Sequence, residues 1–593
     1  MMYAPFCANP FSYQRRLTRE VKVGKVGVGG HHPIRVQSMI TCDTMDTEAC
    51  IRQTMELAAV GCEIVRITAP TVKDAQNLRR IKKGLLEKGC DVPIVADIHF
   101  KPEAAMEAAL WVDKVRINPG NYADSKKFAI KEYSDEQYDA ELDRIRERFT
   151  PLIRLCQERG ISLRIGTNHG SLSDRIMNRY GDTPIGMVES ALEFARIARD
   201  FQFHDMLFSM KASNPKVMIA AYRLLVARLL EAGQDWNYPV HLGVTEAGDG
   251  EDGRIKSAIG IGSLLADGIG DTVRVSLTED SVHEIPVAQA LVVPYNNRAL
   301  KPTARHGSEV TLPFDPFVFE RRASAKVQVN GIDLGGGETI RVIVRQQTFD
   351  KIAHKLEKMG DFQPEGVFES ANVAEVDPND PGAIALLNNA PDVRLVTVKD
   401  RVDLPVIAAY RLLATRLAKR HPILLKDTLR PSFDPSRDFL ETLLESATNL
   451  GALLCDGIGD AIMVQGEEAP GQSLRLAYNI LQAAGTRIFK TDYVACPSCG
   501  RTLFDLQATT GRIKAATNHL KGVKIAIMGC IVNGPGEMAD ADFGYVGGAP
   551  GKVNLYVGKK PLKFNIPEAE AVNRLVDLIR EHGRWVEPIG ASH

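Results

Sequence analysis

Eight short stretches rich in β-branched residues, separated by longer helical patterns, constrain the fold of this chain more than any other feature. They cover residues 34–40, 62–68, 92–98, 112–118, 161–167, 206–212, 239–245 and 272–277. Helical periodicity falls between them, for example at 47–60, 141–159, 183–200 and 217–232. Strands that alternate with crossover helices form parallel sheets, and eight such units match a (β/α)8 barrel. We therefore expect an α/β chain with a TIM barrel over residues 1–298.

Five basic residues stand late in these predicted strands, at the end of the barrel where TIM-barrel sites lie. They are Arg66, Arg116, Arg164, Lys211 and Arg274. The acids near these positions are fewer, namely Asp97, Glu246 and Asp271. A buried charge needs a partner, and guanidinium groups match phosphate oxygens bidentately. The set predicts a site for a polyanion such as a diphosphate. The sequence leaves open whether Arg274 contacts phosphate or forms a structural ion pair.

Polar residues at the same strand ends extend this predicted site. Asn168 and Ser276 offer hydrogen-bonding groups to a ligand. Glu246 lies among the cations, where a carboxyl group can donate or accept a proton. We therefore expect Glu246 to be catalytic and the two smaller residues to bind substrate.

A second constellation lies near the C-terminus, in a predicted α+β domain over residues 489–593. Cys496 and Cys499 have the C-x2-C spacing that lets two thiolates from one turn reach the same metal centre, and Cys530 ends a strand-like run at 523–529. Glu537 offers an oxygen ligand, and His519 and Cys455 are weaker candidates. Zinc sites usually close with Cys or His, whereas three thiolates and one replaceable ligand suit a [4Fe–4S] cluster. The spacing favours iron–sulfur but leaves zinc open.

Residues between these regions repeat part of the barrel. The run Ala-Ala-Tyr-Arg-Leu-Leu at 220–225 recurs at 408–413, and Asp-Gly-Ile-Gly-Asp at 267–271 recurs at 456–460. Two matches in the same order predict a degenerate, barrel-like domain over residues 299–488. Arg274 and Ser276 fall on Met463 and Gln465 in the copy, so we interpret it as a structural spacer. Residues 302–316 resemble a linker into it.

Charge and cysteine content limit the partners and the compartment. The formal net charge of -1 gives no reason to expect nucleic acid or an anionic membrane, and no apolar run reaches the length of a membrane span. Ten scattered cysteines do not form a disulfide framework, which indicates a reducing compartment. The N-terminal segment shows no targeting pattern. We expect a cytoplasmic bacterial protein.

Several longer motifs together resemble one family. They are Val-Ala-Asp-Ile-His-Phe at 95–100, Val-Arg-Ile-Asn-Pro-Gly-Asn at 115–121, His-Leu-Gly-Val-Thr-Glu-Ala-Gly at 241–248, Ala-Cys-Pro-Ser-Cys-Gly-Arg at 495–501 and Gly-Cys-Ile-Val-Asn-Gly-Pro-Gly-Glu at 529–537. With the Asp-Gly-Ile-Gly-Asp-Thr-Val-Arg-Val-Ser-Leu run at 267–277, they closely resemble the 4-hydroxy-3-methylbut-2-enyl diphosphate synthases of non-mevalonate isoprenoid biosynthesis. The inserted middle domain resembles the longer form of that family.

The resemblance implies a specific chemistry. It implies a [4Fe–4S] cluster held by Cys496, Cys499, Cys530 and Glu537. It implies that 2-C-methyl-D-erythritol 2,4-cyclodiphosphate is bound by Arg66, Arg116, Arg164, Lys211 and Ser276, and that Glu246 handles protons nearby. Two electrons from ferredoxin or flavodoxin would drive reduction after a substrate oxygen replaces Glu537 on the unique iron. The cluster domain must close over a barrel mouth, either its own or that of a partner in a homodimer.

Two other classes of protein remain open from the residues alone. Barrels of pterin-dependent methyltransferases also bind anionic cofactors at their strand ends. A zinc-stapled binding scaffold would explain the cysteines but not the five converging cations.

Overall fold

The computed structural model describes residues 5–123, 132–298, 312–431, 437–531, 534–538 and 540–588. A hairpin of β1 (Val21–Val23) and β2 (Val26–Val28) precedes the first domain. The strands that follow are β3 (Arg35–Met39), β4 (Ile64–Thr68), β5 (Ile94–Ile98), β6 (Lys114–Ile117), β7 (Ser162–Asn168), β8 (Met206–Lys211), β9 (His241–Leu242) and β10 (Thr272–Val273). They match the eight predicted strands one by one.

Helices connect these strands and cover the outside of the barrel. They are α1 (Thr47–Ala59), α2 (Val72–Glu87), α3 (Pro102–Ala108), α4 (Pro119–Tyr122), α5 (Asp135–Arg159), α6 (Asp174–Tyr180), α7 (Pro184–Asp200), α8 (Pro215–Ala232), α9 (Gly250–Ser257), α10 (Ser263–Ala266) and α11 (Glu284–Asn296). The local sequence determines where several of these helices begin and end. The side chain of Ser134 caps α5 in a capping box with Gln137, and Gly160 ends that helix in the left-handed conformation.

The eight strands form one parallel sheet in the order β8-β7-β6-β5-β4-β3-β10-β9. A single bridge between Phe208 and Val240 joins the first strand of that order to the last and nearly closes the barrel. The predicted TIM barrel is confirmed. Its last two strands are shorter than predicted, because the chain leaves the sheet after Leu242 and Val273 and continues in loops that reach the mouth.

The middle of the chain repeats part of this barrel. Its strands are β11 (Val327–Val329), β12 (Ile332–Leu334), β13 (Arg341–Val344), β14 (Gly366–Val367), β15 (Ala374–Val376), β16 (Val396–Val398), β17 (Leu424–Lys426) and β18 (Ala461–Met463). Its helices are α12 (Gln346–Ile352), α13 (Pro381–Asn389), α14 (Val406–Arg416), α15 (Phe439–Cys455) and α16 (Pro470–Ala483).

The strand order of the middle domain follows that of the barrel. Parallel strands lie in the order β14-β13-β18-β17, and a bridge between Val396 and Ile423 links them to the parallel pair β16-β15. This order corresponds to β4-β3-β10-β9-β8-β7. Within the described ranges, β5 and β6 have no counterpart, so the copy is a partial barrel. The linker predicted at 302–316 lies mostly outside the described residues, and so does the start of this domain at 299.

The two copies pack against each other with approximate twofold symmetry. Gly262 of the barrel faces the side chain of Thr448, and Gly451 on α15 faces Ile259 of the barrel. Arg223 on α8 and Arg411 on α14 each contact Asp267 and Asp456, the first aspartates of the two Asp-Gly-Ile-Gly-Asp runs. The repeated motifs therefore form the interface between the copies.

The C-terminal domain is a mixed sheet covered by helices. Its strands are β19 (Asp492–Ala495), β20 (Lys524–Met528), β21 (Phe543–Ala549), β22 (Lys552–Val557) and β23 (Lys560–Pro567), paired in that order. Its helices are α17 (Leu506–Thr517), the short α18 (Gly534–Glu537) and α19 (Glu568–Glu581). The apolar stripe of α19, formed by Ala571, Leu575, Leu578 and Ile579, is buried in the core of this domain.

The C-terminal domain sits on the mouth of the barrel of its own chain. A bridge joins Ala495 to Ala247, and the hydroxyl of Thr278 donates to the carbonyl oxygens of Ala495 and Cys496. Ion pairs flank this contact, namely Lys514 with Asp249 and Lys256 with Asp492. Among the described residues, no helix is both long and apolar enough to cross a membrane.

Candidate active site

A cavity lies between the barrel mouth and the C-terminal domain. Both halves contribute predicted site residues to its wall. The barrel supplies Arg66, Arg116, Asn168, Lys211, Glu246, Arg274 and Ser276, and the C-terminal domain supplies Cys496, Cys499, Cys530 and Glu537. Eleven of the twelve predicted residues therefore meet in one cavity, and only Arg164 does not line it.

The turn between Cys496 and Cys499 follows directly from the end of β19. The backbone of Cys496 is paired with Ile527 of β20, and its sulfur accepts a hydrogen bond from the amide of Gly529 at 3.2 Å. Ser498 has a φ of 74°, a left-handed conformation that turns the chain sharply. The hydroxyl of Thr502 accepts from the amide of Cys499 at 3.0 Å. These contacts hold both thiols toward the cavity.

The third cysteine and the candidate oxygen ligand enter from the other side of the turn. Cys530 follows β20, and Glu537 ends α18, where its carboxylate accepts a hydrogen bond from the amide of Asn168 at 2.6 Å. In the described part of the chain, no three His, Cys, Asp or Glu side chains converge tightly enough to hold a single metal ion. The thiols of Cys496, Cys499 and Cys530 line the cavity together with the carboxyl group of Glu537. Three thiols and one carboxylate form a donor set that can hold a metal centre.

Arg116 organises the barrel side of the cavity. Its guanidinium donates to Asp97 at 2.8 Å, to the carbonyl of Gly166 at 2.9 Å and to the side-chain oxygen of Asn168 at 2.8 Å. Although burial opposes ionisation of Asp97, Arg116 and Arg66 hold the pKa of that carboxyl well below its usual range. One hydrogen-bonded path thus connects Asp97, Arg116, Asn168 and Glu537 from the barrel to the C-terminal domain.

Arg274, whose role the sequence left open, has a structural partner and also lines the cavity. It forms two hydrogen bonds to Glu284 at the start of α11, at 3.1 and 3.0 Å. Its third nitrogen lies 3.0 Å from the sulfur of Met39. Sequence reasoning missed Glu284, because it lies beyond the last predicted strand. Arg274 is therefore oriented by an ion pair while it still faces the cavity.

Three further cations lie in or below the cavity without full neutralisation. Arg66 lies 3.6 Å from Asp97, and burial lowers the pKa of Arg66 to about 10. Lys211 has no acidic partner within ion-pair distance in the described structure, and burial followed by repulsion from Arg66 lowers its pKa. Arg164 is in register with Arg116 on the next strand but is completely buried. None of its side-chain nitrogens has a hydrogen-bond partner among the described residues.

A second unpaired cation lies near Arg164 inside the barrel. Lys114 on β6 is completely buried, and its amine likewise has no hydrogen-bond partner in the described ranges. The sequence analysis missed Lys114, because an early strand position was not expected to matter. Burial, followed by repulsion from Arg164, lowers the pKa of Lys114 well below its usual range, and an anion at the mouth would stabilise the protonated amine.

Glu246 lies in the loop after β9 and faces Glu537. Its backbone φ of 51° is unusual for a residue other than glycine, as is common at functional sites. The two carboxyl groups share a hydrogen bond, and burial followed by repulsion from Glu537 raises the pKa of Glu246 well above its usual range. Burial and the neighbouring carboxyl group therefore both favour the protonated form of Glu246.

Two outcomes differ from the sequence-based expectations. Asp271 does not pair the mouth cations, because it precedes β10 and lies at the opposite end of the barrel, where it binds Arg15 and Thr18. Arg501 was missed, although it directly follows the Cys-Pro-Ser-Cys-Gly motif. It lines the cavity, and its guanidinium lies 3.4 Å from the sulfur of Cys499.

The corresponding mouth of the middle domain is filled by its own ion pairs. Lys426 contacts Asp400 at 2.5 Å and Glu375 at 3.4 Å, and Arg345 contacts Asp400 at 2.8 Å. Gln465, at the position of Ser276, bonds Arg345 and Asp400. The charges of these side chains are already neutralised, which agrees with the spacer interpretation.

Comparison with known proteins gives the same picture over the whole chain. The family model for the GcpE TIM-barrel domain matches residues 18–289, and the model for the GcpE C-terminal domain matches residues 492–581. A protein of Akkermansia muciniphila named 4-hydroxy-3-methylbut-2-en-1-yl diphosphate synthase (flavodoxin) is 57% identical over 99% of this chain and 100% of its own length.

More distant relatives carry the same enzyme name. The flavodoxin-type enzyme of Chlorobaculum tepidum is 44% identical, over 98% of this chain and 91% of its own. The chloroplastic, ferredoxin-type enzyme of Oryza sativa is 40% identical, over 98% and 89%. Since both end domains match the family models and these relatives align along nearly the entire sequence, the chain belongs to the GcpE family of 4-hydroxy-3-methylbut-2-en-1-yl diphosphate synthases.

Proposed function

We propose that this chain is an oxidoreductase of isoprenoid biosynthesis that converts 2-C-methyl-D-erythritol 2,4-cyclodiphosphate into 4-hydroxy-3-methylbut-2-enyl diphosphate. The observation that carries the proposal is the single cavity in which the barrel cations face three cysteines and a pair of carboxyl groups. The names of the relatives support the product and the use of flavodoxin or ferredoxin. The pterin-dependent alternative is not favoured, because the relatives that align along nearly the whole chain carry the synthase name.

The barrel side binds the diphosphate. Arg66, Arg116 and Lys211 supply positive charge at the mouth, and Ser276 supplies a hydroxyl group. Arg164 and Lys114 lie beneath without hydrogen-bond partners among the described residues, and a bound anion would stabilise their protonated forms. Arg274 is fixed by Glu284 and lines the same space. The diphosphate thus replaces the missing counter-ions of the buried cations.

The cysteine wall fits a [4Fe–4S] cluster held by Cys496, Cys499, Cys530 and Glu537. The donor set supports this assignment, because three thiols and one carboxylate face a common cavity. When bound, the cluster supplies electrons and a Lewis-acidic iron. Arg501 lies against Cys499 and offsets the negative charge of the thiolates.

Glu246 and Asn168 position protons and water at the junction of the two halves. Asn168 donates to Glu537 while its oxygen accepts from Arg116, so its amide orientation is fixed. Glu246 is buried and hydrogen-bonded to Glu537, which places its proton at the edge of the cavity. It can deliver that proton to the oxygen that leaves the substrate as water.

The contacts across the mouth support a chain that caps its own barrel, although the same surfaces could serve a homodimer. None of the ten cysteines forms a disulfide, which supports a reducing, cytoplasmic setting.

The function is tested with protein purified without oxygen. We expect about four irons and four sulfides per chain, and reductant-dependent formation of the linear diphosphate from the cyclic substrate, followed by ³¹P NMR. Cys530→Ser should lose iron and turnover, whereas Cys90→Ser, at a partly exposed cysteine that does not line the cavity, should keep both. One zinc without sulfide, or a full iron content without turnover of this substrate, would overturn the proposal.

A further inference from the structure

Two thiols outside the cavity lie close enough to react with each other. The sulfurs of Cys42, in the loop after β3, and Cys50, in the first half of α1, are hydrogen-bonded at 3.6 Å. Neither residue is among the predicted ligands, and neither lines the cavity described above. A disulfide needs the sulfurs to approach to about 2.05 Å, so the two sulfurs must come roughly 1.5 Å closer.

The two thiols differ in a way that suits a reactive and a resolving cysteine. Cys42 is partly exposed, whereas Cys50 is buried. The hydrogen bond with Cys50 lowers the pKa of the Cys42 thiol, despite the opposing effect of burial. The thiolate is the form that attacks disulfides and peroxides. Cys42 is therefore the thiol that an oxidant reaches first, with Cys50 beside it.

The loop that carries Cys42 touches the cysteine turn of the C-terminal domain. The carbonyl oxygen of Cys42 lies so near Gly500 that an added Cβ there would be 2.8 Å away. Thr41 and Asp43 form one wall of an open groove of about 930 Å³, and Ser498 and Cys499 form the opposite wall. A movement of this loop therefore acts directly on the turn that presents Cys499.

The same loop is held at its base by hydrogen bonds that a disulfide would strain. Gln53 on α1 accepts from the amides of Thr41 and Cys42, at 2.9 and 3.2 Å, and the thiol of Cys50 donates to the carbonyl of Asp43 at 3.3 Å. Forming the bond removes the last of these contacts and pulls the loop toward α1. The contact between the carbonyl oxygen of Cys42 and Gly500 must then lengthen.

We propose that Cys42 and Cys50 form a reversible oxidation site that loosens the C-terminal domain from the barrel mouth. The oxidant is a low-molecular-weight disulfide such as glutathione disulfide. The Cys42 thiolate attacks one sulfur and releases one glutathione thiolate. Cys50 then attacks the Cys42 sulfur, loses its proton to solvent and releases the second glutathione, so two thiols supply the two electrons. Reduction by a dithiol restores the closed form.

The test uses the full-length protein as purified without oxygen, treated with glutathione disulfide, alkylated and mapped by mass spectrometry. We expect a peptide pair joined through Cys42 and Cys50 that dithiothreitol separates. Cys50→Ser should instead accumulate a stable glutathione adduct on Cys42, and Cys42→Ser should show neither product. Stable glutathionylation of Cys42 in the unaltered chain, or two thiols that stay alkylatable throughout, overturns the proposal.

A second readout separates this site from the proposed function. Hydrogen exchange at residues 498–503 should increase about tenfold when the bond forms, and not in treated Cys50→Ser. Visible absorbance recorded on the same samples shows whether the oxidant has also affected Cys496, Cys499 and Cys530 in the cavity. A bond that forms without faster exchange refutes the coupling to the domain contact. The mass readout is valid whether or not the chain reduces the cyclic diphosphate.

Discussion

Replacing Arg411 by methionine should weaken the interface between the barrel and the middle domain strongly. Arg411 and Arg223 form a neutral cluster with Asp267 and Asp456, and all four side chains are at most 2% exposed. Arg411 lies 2.7 Å from Asp267 and 2.8 Å from Asp456, so its loss leaves two buried carboxylates with one guanidinium. Breaking a buried ion pair in this way costs about 3–5 kcal/mol.

Hydrogen exchange of the α14 amides measures this cost locally, which avoids the assumption of two-state unfolding for a chain of several domains. A loss of about 3 kcal/mol accelerates exchange by roughly a hundredfold, since 1.4 kcal/mol is a factor of ten. The matched control Arg411→Met/Asp456→Leu removes one charge of each sign, and should recover most of the protection. Acceleration below about threefold in the single variant, or no recovery in the double variant, would refute the reasoning.

Three further predictions follow from the same structure. Gly536→Ala should reduce turnover at least about tenfold by preventing closure of the C-terminal domain, because its Cβ would lie 2.2 Å from the carbonyl oxygen of Gly170. The control Gly511→Ala, whose Cβ would meet no atom within 4 Å, should leave turnover unchanged. Equal rates for the two variants would contradict this. Glu246→Gln should keep substrate affinity while kcat falls about 10²- to 10³-fold, measured as separate kcat and KM; a change in KM alone would argue against proton delivery. The pKa of Asp267 in the folded chain is below its usual value, because the attraction of Arg223 and Arg411 outweighs the effect of burial. The Asp267 carboxylate therefore stabilises the interface at pH values above its unfolded pKa, and this stabilisation is lost as the pH falls through the folded pKa. Arg411→Met should shift that acid-induced rise in α14 exchange to higher pH, and an unchanged profile would show that Asp267 is not the titrating group.

The barrel could be predicted because its signals are local. β-branched strands and amphipathic helices mark each unit, and a charge within an apolar strand stands out wherever it occurs, as at Arg116. Chain direction then places every late strand position at one mouth. Asp271 shows the limit of that argument, because it enters β10 instead of leaving it and therefore lies at the far end. The segments that form β14 and β15 carry too little pattern to be recognised as strands.

Contacts between distant segments could not be predicted in the same way. The hydrogen bond of Asn168 with Glu537 and the ion pair of Arg274 with Glu284 depend on how domains and loops meet in space. One signal was present but unused. The run Pro-Phe-Ser-Tyr-Gln-Arg-Arg at 10–16 recurs as Pro-Phe-Val-Phe-Glu-Arg-Arg at 316–322. Each run binds the Asp-Gly-Ile-Gly-Asp turn of its own copy, through a backbone hydrogen bond to Gly268 in the barrel and to Gly457 in the middle domain.

The central claim is that one chain builds the complete site, with the cations of its barrel facing the cysteines of its own C-terminal domain. It is tested most directly by coexpressing two inactive variants, Arg116→Ala and Cys530→Ser, with different tags, and measuring turnover of the cyclic diphosphate by the mixed population next to the unaltered chain. The account predicts full activity of the unaltered chain and none for the mixture, because each variant lacks one half of its own site. Recovery of activity, up to about a quarter of that of the unaltered chain, would show that the C-terminal domain caps the barrel of a partner.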